Sequence, residues 1–173
     1  GNGGQTFAGY LAMQGFDVSL YDINKDRIQN IQKKGGIQLT GKLNGFGKLS
    51  CITTNIQEAI QNANIVMVTT TANAHKIVAN DIADLIEEEQ IIVLNPGRTC
   101  GALIFRQTLI EKKINKKYYL GEAQTLVYAC RIIEDVVVNV IGIKDEVYLS
   151  GLPASDTPHI LEKLHPVFPC FKA

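Results

Sequence analysis

The feature that most constrains the fold of this sequence is a pair of continuous apolar segments, each followed by a helical pattern. The segments cover residues 64–70, which read Asn-Ile-Val-Met-Val-Thr-Thr, and residues 91–94, which read Ile-Ile-Val-Leu. Apolar runs of this kind are typical of parallel strands that are buried on both faces of a sheet. Helical patterns follow them over 74–86 and 103–112. This alternation predicts an α/β fold with right-handed crossovers.

The alternation extends over the rest of the chain. A strand pattern covers 17–22, a glycine-rich stretch over 36–50 is typical of a hairpin, and further helical patterns cover 4–15, 26–34 and 55–61. Asn24 is a good N-cap for the second of these helices, and Gly35 is a typical stop signal. The last third of the chain changes character, with strand patterns over 118–120, 126–130, 136–141 and 146–149 before a final helix over 155–165. We therefore predict a doubly wound parallel sheet, Rossmann-like, with a β-rich C-terminal extension.

Composition and charge narrow the functional classes. Seventeen basic and 17 acidic residues give a formal net charge of zero, so no global field favours nucleic acid or an anionic membrane. The four cysteines have neither metal-ligand nor disulfide-framework spacing, and we expect no metal site and a reducing, cytoplasmic location. A homodimer is compatible with this composition.

The glycine cluster at the start of the chain is the strongest candidate for ligand binding. Gly1, Asn2, Gly3 and Gly4 directly precede the first helical pattern. Glycines between a strand and a helix let backbone N–H groups approach a pyrophosphate at the positive end of the helix. The competing interpretation is an ordinary turn. Because the sequence opens inside this cluster without a Met, we expect a first strand upstream of it.

Asp22 ends the first strand pattern of the chain. In a dinucleotide-binding fold, a carboxylate here accepts hydrogen bonds from the ribose hydroxyls and repels a 2′-phosphate, which favours NAD over NADP. Lys25 and Arg27 lie close enough in the sequence to tolerate a 2′-phosphate, so NADP(H) stays an alternative. Asp22 can also be read as a turn residue or a helix cap.

Polar residues follow the two most apolar strands and predict the nicotinamide end of the site. These residues are Thr70, Thr71 and Ala72 after the first, and Asn95, Pro96 and Gly97 after the second. The carboxyl ends of parallel strands line the ligand crevice of such sheets, although strands also end in turn residues for purely structural reasons. His75 begins the following helix without an obvious carboxylate partner, and we expect it on the surface.

Three segments together resemble the N-terminal domain of opine dehydrogenases of the octopine and nopaline type. They are Gly-Asn-Gly-Gly-Gln-Thr-Phe-Ala at 1–8, Asn-Pro-Gly-Arg-Thr-Cys-Gly-Ala-Leu-Ile-Phe-Arg at 95–106, and Ala-Cys-Arg at 129–131. The resemblance covers nearly the whole chain and implies that residues 1–173 are a dinucleotide-binding domain, with Phe7 among the cofactor residues. It also implies an upstream strand with one more glycine, and a downstream helical domain that carries the catalytic histidine and its aspartate partner. None of the three histidines here matches that catalytic residue.

Opine dehydrogenases join an amino acid to a 2-oxo acid such as pyruvate and reduce the resulting imine by hydride transfer from NAD(P)H. The resemblance implies that Arg98, Thr99 and Cys130 lie near the oxo acid or the nicotinamide, with Arg98 supplying charge for a carboxylate. Read by itself, Cys130 is more typical of a buried core residue. Two alternatives stay open: another two-domain dehydrogenase, of the glycerol-3-phosphate dehydrogenase or ketopantoate reductase type, and a non-enzymatic NAD-sensing domain.

Overall fold

The computed structural model describes residues 1–98 and 100–173. The helices are α1 (Asn2–Met13), α2 (Lys25–Lys34), α3 (Ile56–Ile60), α4 (His75–Ile82), α5 (Gly101–Glu111) and α6 (Thr157–Leu164). The strands are β1 (Ser19–Tyr21), β2 (Gly36–Gly41), β3 (Gly45–Lys48), β4 (Cys51–Thr53), β5 (Ile65–Val68), β6 (Gln90–Leu94), β7 (Tyr118–Ala123), β8 (Tyr128–Glu134), β9 (Val137–Ile143), β10 (Val147–Gly151) and β11 (Phe171–Lys172).

The chain packs as two compact units. The first contains Gly1–Ala59 and Tyr128–Ile143, and the second contains Ile60–Val127 and Lys144–Ala173. The first unit holds a parallel pair, β1 with β4, and a four-stranded sheet in the order β3-β2-β9-β8. In that sheet β2 runs antiparallel to β3 and parallel to β9, and β8 and β9 form an antiparallel pair.

Helix α1 lies directly on the β2–β3 hairpin because glycines remove the side chains between them. A Cβ on Gly47 would overlap the carbonyl oxygen of Gly9, and a Cβ on Gly9 would stand 3.2 Å from Ile37 and Leu39. Both of those apolar side chains are fully buried. The close approach positions the start of α1, where the glycine cluster lies.

The second helix has the end signals that its sequence predicts. The side-chain oxygen of Asn24 accepts a hydrogen bond from the N–H of Arg27 at 2.9 Å, and Gly35 ends the helix with a φ of 74°. A left-handed residue at this position is typically glycine, which has no Cβ to clash. The predicted cap and stop are therefore confirmed.

The second unit is built on a five-stranded sheet in the order β11-β10-β7-β6-β5. Strands β5, β6 and β7 run parallel, β10 is antiparallel to β7, and β11 is parallel to β10. All five residues of β6 are buried, as its uninterrupted apolar sequence predicts. The parallel order places the carboxyl ends of β5, β6 and β7 at one edge of the sheet.

One strand boundary and the grouping of the parallel strands differ from the sequence prediction. The strand predicted over 126–130 begins at Tyr128 and continues to Glu134. Its exposed and less exposed residues largely alternate, which explains why polar and apolar residues mix there. The parallel strands also lie in separate sheets, β1 with β4 and β5 with β6 and β7.

No helix in residues 1–98 or 100–173 is long and apolar enough to span a membrane.

Candidate functional site

The N-terminus of α1 is free of a capping side chain. The N-cap is Gly1, which has no side chain to accept from the first amides of this 12-residue helix. The first turn contains no acidic residue either. Gly3 is buried and Gly4 is half-buried. Such a helix end presents N–H groups and positive potential, which together favour an anion.

Asp22 stands next to this helix end. It follows β1, and its Oδ2 lies 3.0 Å from the nitrogen of Gly1, here the amino terminus of the chain. Its side chain is 15% exposed. The first unit therefore brings the predicted pyrophosphate-binding amides and the predicted ribose-binding carboxylate side by side, as the Rossmann pattern requires.

Hydrogen bonds hold Asp22 in its charged form. Burial raises the pKa of this carboxyl, whereas hydrogen bonds from the N–H of Asn24 (3.0 Å), the nitrogen of Gly1 and the Arg27 guanidinium (2.7 Å) lower it, and the pKa lies below its usual value. Hydrogen bonds to the ionised form favour ionisation. Asp22 is thus an acceptor at neutral pH, which is the form that binds hydroxyl groups.

Two other predicted cofactor residues use their side chains to hold α1 against β8. The side-chain oxygen of Asn2 accepts from the N–H of Ile132 at 2.9 Å. Phe7 is buried, and its ring meets that of Tyr128 edge-on with centroids 5.0 Å apart. The geometry leaves the backbone of Asn2 at the open helix end.

Cys130 lies on the same strand, two residues before the Asn2 contact. Its side chain is half-buried. It is therefore neither a fully buried core residue nor a fully exposed one. The pairing of β8 with β9 shifts register between Ala129 and Cys130. Bulges of this kind re-aim side chains and are frequent beside active sites.

Buried polar atoms cluster at the carboxyl ends of the parallel strands in the second unit. Within residues 1–98 and 100–173, Thr70 Oγ1, both side-chain polar atoms of Asn95 and both ring nitrogens of His75 are buried without a hydrogen-bond partner. An unpaired buried polar group costs about 1–3 kcal/mol. Such a concentration at the end of β5 and β6 is typical of a site that a ligand completes. Thr71 and Ala72, by contrast, are exposed.

Backbone hydrogen bonds attach the loop after β6 to the neighbouring strands β5 and β7. Asn95 donates its N–H to the carbonyl of Val68 at 2.8 Å, and Gly97 donates to that of Ala123 at 3.0 Å. Gly97 is buried against Glu122, and a Cβ added to the glycine would overlap the Cβ of that side chain. Pro96 is half-buried and its peptide bond with Asn95 is cis.

Of the predicted substrate residues in this loop, Arg98 is exposed and Thr99 lies outside the described residues. The N-terminus of α5, which follows, is already occupied. Glu122 Oε2 accepts from the N–H of Ala102 at 2.8 Å. A carboxylate at this helix end takes the place that a substrate anion would otherwise use. This helix end is therefore not free to bind a further anion.

The expectation that His75 lies on the surface is wrong. Its side chain is fully buried because Gly101, at the start of α5, leaves room for the ring: a Cβ there would stand 2.5 Å from Nδ1. Burial lowers the pKa of His75, and the negative charge of Glu122 opposes this only in part. The imidazole is neutral at pH 7. A histidine at a helix start carries no local signal for this burial, which depends on a glycine distant along the chain.

The donor set fits a dinucleotide. Free helix amides beside an ionised carboxylate match a pyrophosphate and the adjoining ribose. The unpartnered Thr70 hydroxyl and Asn95 amide match a ring that carries a carboxamide, because they offer both donors and acceptors. These two sets of residues belong to different units. No group of three or more His, Cys, Asp or Glu side chains in the described part of the chain could hold a metal.

Comparison with known proteins agrees with this interpretation. The family described as ketopantoate reductase PanE/ApbA matches residues 1–97. The opine dehydrogenase of Arthrobacter sp. (strain 1C) is 36% identical over 174 residues, which cover 100% of this chain and 48% of that protein. The resemblance to opine dehydrogenases is thereby confirmed.

Solved structures support the fold. Octopine dehydrogenase with NADH and pyruvate has a TM-score of 0.82 and 25% identity, over 99% of this chain and 47% of that chain. Yersinopine dehydrogenase with NADP⁺ bound has a TM-score of 0.71 and 12% identity, over 95% of this chain and 44% of that chain. The latter shows the fold alone. The Rossmann-like fold is confirmed, and the chain spans about half the length of the relatives it matches.

Proposed function

This chain belongs to the ketopantoate reductase PanE/ApbA family, and from that premise we propose that it is the cofactor-binding half of an opine dehydrogenase. The amine of an amino acid condenses with a 2-oxo acid such as pyruvate, releasing water and forming an imine. Addition of a hydride to the imine carbon and of a proton to its nitrogen then gives an N-(carboxyalkyl) amino acid. The observation that carries the proposal is Asp22 beside the open end of α1.

NAD(H) is the proposed cofactor, and it supplies the hydride when bound. The amides of Gly1, Asn2, Gly3 and Gly4 bind the pyrophosphate, and Asp22 accepts from the ribose hydroxyls. Phe7, in the same helix, supports this helix start through its packing on Tyr128. The Asp22 carboxylate opposes a 2′-phosphate through like charge. NADP(H) is the weaker alternative.

The nicotinamide end is assigned to residues that follow β5 and β6: Thr70, Thr71, Ala72, Asn95, Pro96 and Gly97. Thr70 and Asn95 contribute the buried, unpartnered polar atoms. Their role is to orient the reactive ring, since hydride transfer requires the donor and acceptor carbons to be held in one geometry. The hydrogen bond from Gly97 to Ala123 of β7 holds this loop against the sheet.

The substrates are assigned to Arg98, Thr99 and Cys130. Arg98 offers an exposed guanidinium that can bind a carboxylate through two parallel hydrogen bonds. Cys130 is half-buried beside a bulge and forms part of the oxo-acid wall. The acid and base that handle the proton belong to a helical domain downstream, with a histidine and an aspartate.

The proposed domain is completed by an upstream strand. β5 is an end strand of its sheet, and β1 pairs with β4, so each offers an edge to which a further parallel strand can add. We propose that the enzyme acts on small molecules in the cytoplasm, as a homodimer, without nucleic acid or membrane.

Titration of the full-length protein with NADH and NADPH by calorimetry, followed by assay with pyruvate and a panel of amino acids, tests the proposal. We expect micromolar NADH binding, about −8 kcal/mol, weaker NADPH binding, and NADH oxidation that requires both substrates. Oxidation with ketopantoate in the absence of an amino acid would instead identify a ketopantoate reductase, the activity for which the family is named. Tight NADH binding without turnover of any substrate would identify a nucleotide sensor.

A further inference from the structure

Glu122 lies against the loop that joins β6 to α5. In the pairing of β6 with β7 it stands beside Leu94, the last residue of β6. Gly97 packs directly on its side chain, because a Cβ added to this glycine would overlap the Cβ of Glu122 and stand 2.6 Å from Oε2 and 2.9 Å from Cδ. The loop therefore follows the side chain of Glu122 from its Cβ to its carboxylate.

The carboxylate of Glu122 also binds the far end of this loop. Its Oε2 accepts a hydrogen bond from the N–H of Ala102 at 2.8 Å. The N–H of Gly101 in turn donates to the carbonyl of Gly97 at 3.1 Å. The positive end of a helix dipole favours a carboxylate in this place. One side chain of β7 thus holds both the middle of the loop and the first turn of α5.

His75 packs against the same helix start. Its ring is fully buried, and a Cβ added to Gly101 would stand 2.5 Å from Nδ1. Close packing leaves little space into which the first turn of α5 could shift. The helix start is therefore in contact with both an ionisable carboxyl group and a buried imidazole, and Glu122 is the one that also reaches the loop.

The loop carries residues that the proposed function assigns to the reaction. Asn95 begins it, and its side-chain polar atoms are buried without a partner in the described part of the chain. Arg98 directly follows Gly97 and is exposed. Because Gly97 lies between these two residues, a displacement of Gly97 is transmitted to both of them through the backbone.

We propose that Glu122 is a positioning residue for hydride transfer, which fixes the loop between β6 and α5 so that Asn95 meets the nicotinamide and Arg98 meets the substrate carboxylate. The inference rests on the proposed function, because it concerns the same reaction. Glu122 acts through the length and the hydrogen bond of its side chain, and not through contact with the substrate. Since a displacement of about 1 Å can cost about 100-fold in rate, the loss of one methylene group is enough to disturb the reaction.

The test combines steady-state kinetics of the full-length enzyme with calorimetric titration of NADH and of ADP-ribose, which lacks the nicotinamide. Glu122→Gln keeps the length of the side chain and an acceptor for the N–H of Ala102. Glu122→Asp keeps the charge but is one methylene group shorter, and Glu122→Ala removes both.

Glu87 provides the matched control. It is half-buried like Glu122, and its carboxylate accepts from the N–H of Asn62 at 2.8 Å, but it precedes the opposite end of β6. The same three substitutions are made at Glu87. Circular dichroism and thermal unfolding check that each variant folds.

Glu122→Asp and Glu122→Ala are expected to lower kcat by about 10- to 100-fold and to raise the oxo-acid KM. They should weaken NADH binding but leave the affinity for ADP-ribose unchanged, because the loop meets only the nicotinamide end. Glu122→Gln should retain kcat to within about 2- to 5-fold of the native value, the factor that corresponds to a lost charge at a helix start. The Glu87 variants should keep native kcat and KM even where their melting temperature falls.

Three results would overturn the inference while native NADH oxidation leaves the proposed function intact. Native kcat and KM in Glu122→Asp and Glu122→Ala would show that the loop keeps its position without this side chain. A Glu122→Gln variant as impaired as Glu122→Ala would show that the charge itself takes part in the chemistry. Equal kinetic losses in the Glu87 series would reduce both residues to a general effect on stability. If the native full-length protein oxidises NADH with no substrate at all, the proposed function falls and this inference falls with it.

Discussion

Gly101→Ala tests the contact that buries His75. The added methyl would stand 2.5 Å from Nδ1 and 2.8 Å from Cε1 of the ring, and 3.2 Å from Leu94 Cδ1. The ring is fully buried and cannot move into solvent without separating α4 from α5. Overpacking of this kind costs about 1–3 kcal/mol, and the stiffer unfolded chain returns about 0.4–1 kcal/mol. We expect a net loss of about 1–2 kcal/mol.

The expected change in melting temperature follows from chain length. An unfolding entropy of about 2.1 cal/mol/K per residue gives about 0.36 kcal/mol/K for 173 residues. Gly101→Ala should therefore lower the Tm by about 3–6 °C in calorimetry. The matched control is Gly142→Ala, where the new Cβ meets only Ala129 at 3.9 Å, and its Tm should stay unchanged or rise.

A double-mutant cycle tests whether the His75 ring causes the loss of stability in Gly101→Ala. His75→Ala removes the ring and leaves a space that the methyl group added by Gly101→Ala would partly fill, so in that background Gly101→Ala should be neutral or stabilising. We expect a coupling free energy of at least about 1 kcal/mol, typical of residues in contact. An equal loss in both backgrounds, or an unchanged Tm for the single variant, would refute the reasoning.

Three further predictions address stability and the proposed site. Because burial lowers the pKa of His75, the unfolded state binds a proton more readily than the folded state does. The contribution of His75 to the free energy of unfolding is therefore complete above about pH 6.5 and falls below it by up to about 1.4 kcal/mol per pH unit. Urea unfolding at several pH values should show a shallower fall in His75→Gln. Leu39→Ala, at a fully buried site, should cost about 2–5 kcal/mol in urea unfolding, against less than about 0.5 kcal/mol for the exposed Ile77→Ala. Cys130→Ala should raise the oxo-acid KM of the full-length enzyme with NADH KM unchanged; equal KM values for the oxo acid would return this residue to a packing role.

The local features of the fold were predictable from sequence. The cap at Asn24, the stop at Gly35 and the buried strand β6 depend on the chemistry of a few neighbouring residues. The position of Asp22 at the end of β1 is likewise local. Each of these signals acts through backbone conformation or hydrophobic pattern over one or two turns, and the sequence contains that information directly.

The sequence identified the candidate site residues but not the contacts that their side chains make. The sequence identifies the glycine cluster and Asp22 as candidates, but the ion pair between Asp22 and Arg27 is visible only in the 2.7 Å contact of the structure. Asn2 is a candidate by its place in the motif, whereas the partner of its side chain, Ile132, lies 130 positions away.

What the sequence determines by itself is the set of elements and the chemistry at their ends, because helix caps, strand patterns and glycine turns are short-range effects. What only the tertiary structure decides is which polar groups lose contact with water. His75 is buried because Gly101 has no Cβ, and Glu122 reaches the amide of Ala102 because β7 lies beside β6. Burial and pairing depend on groups that are distant along the chain, and their positions are known only once the strands and helices are packed.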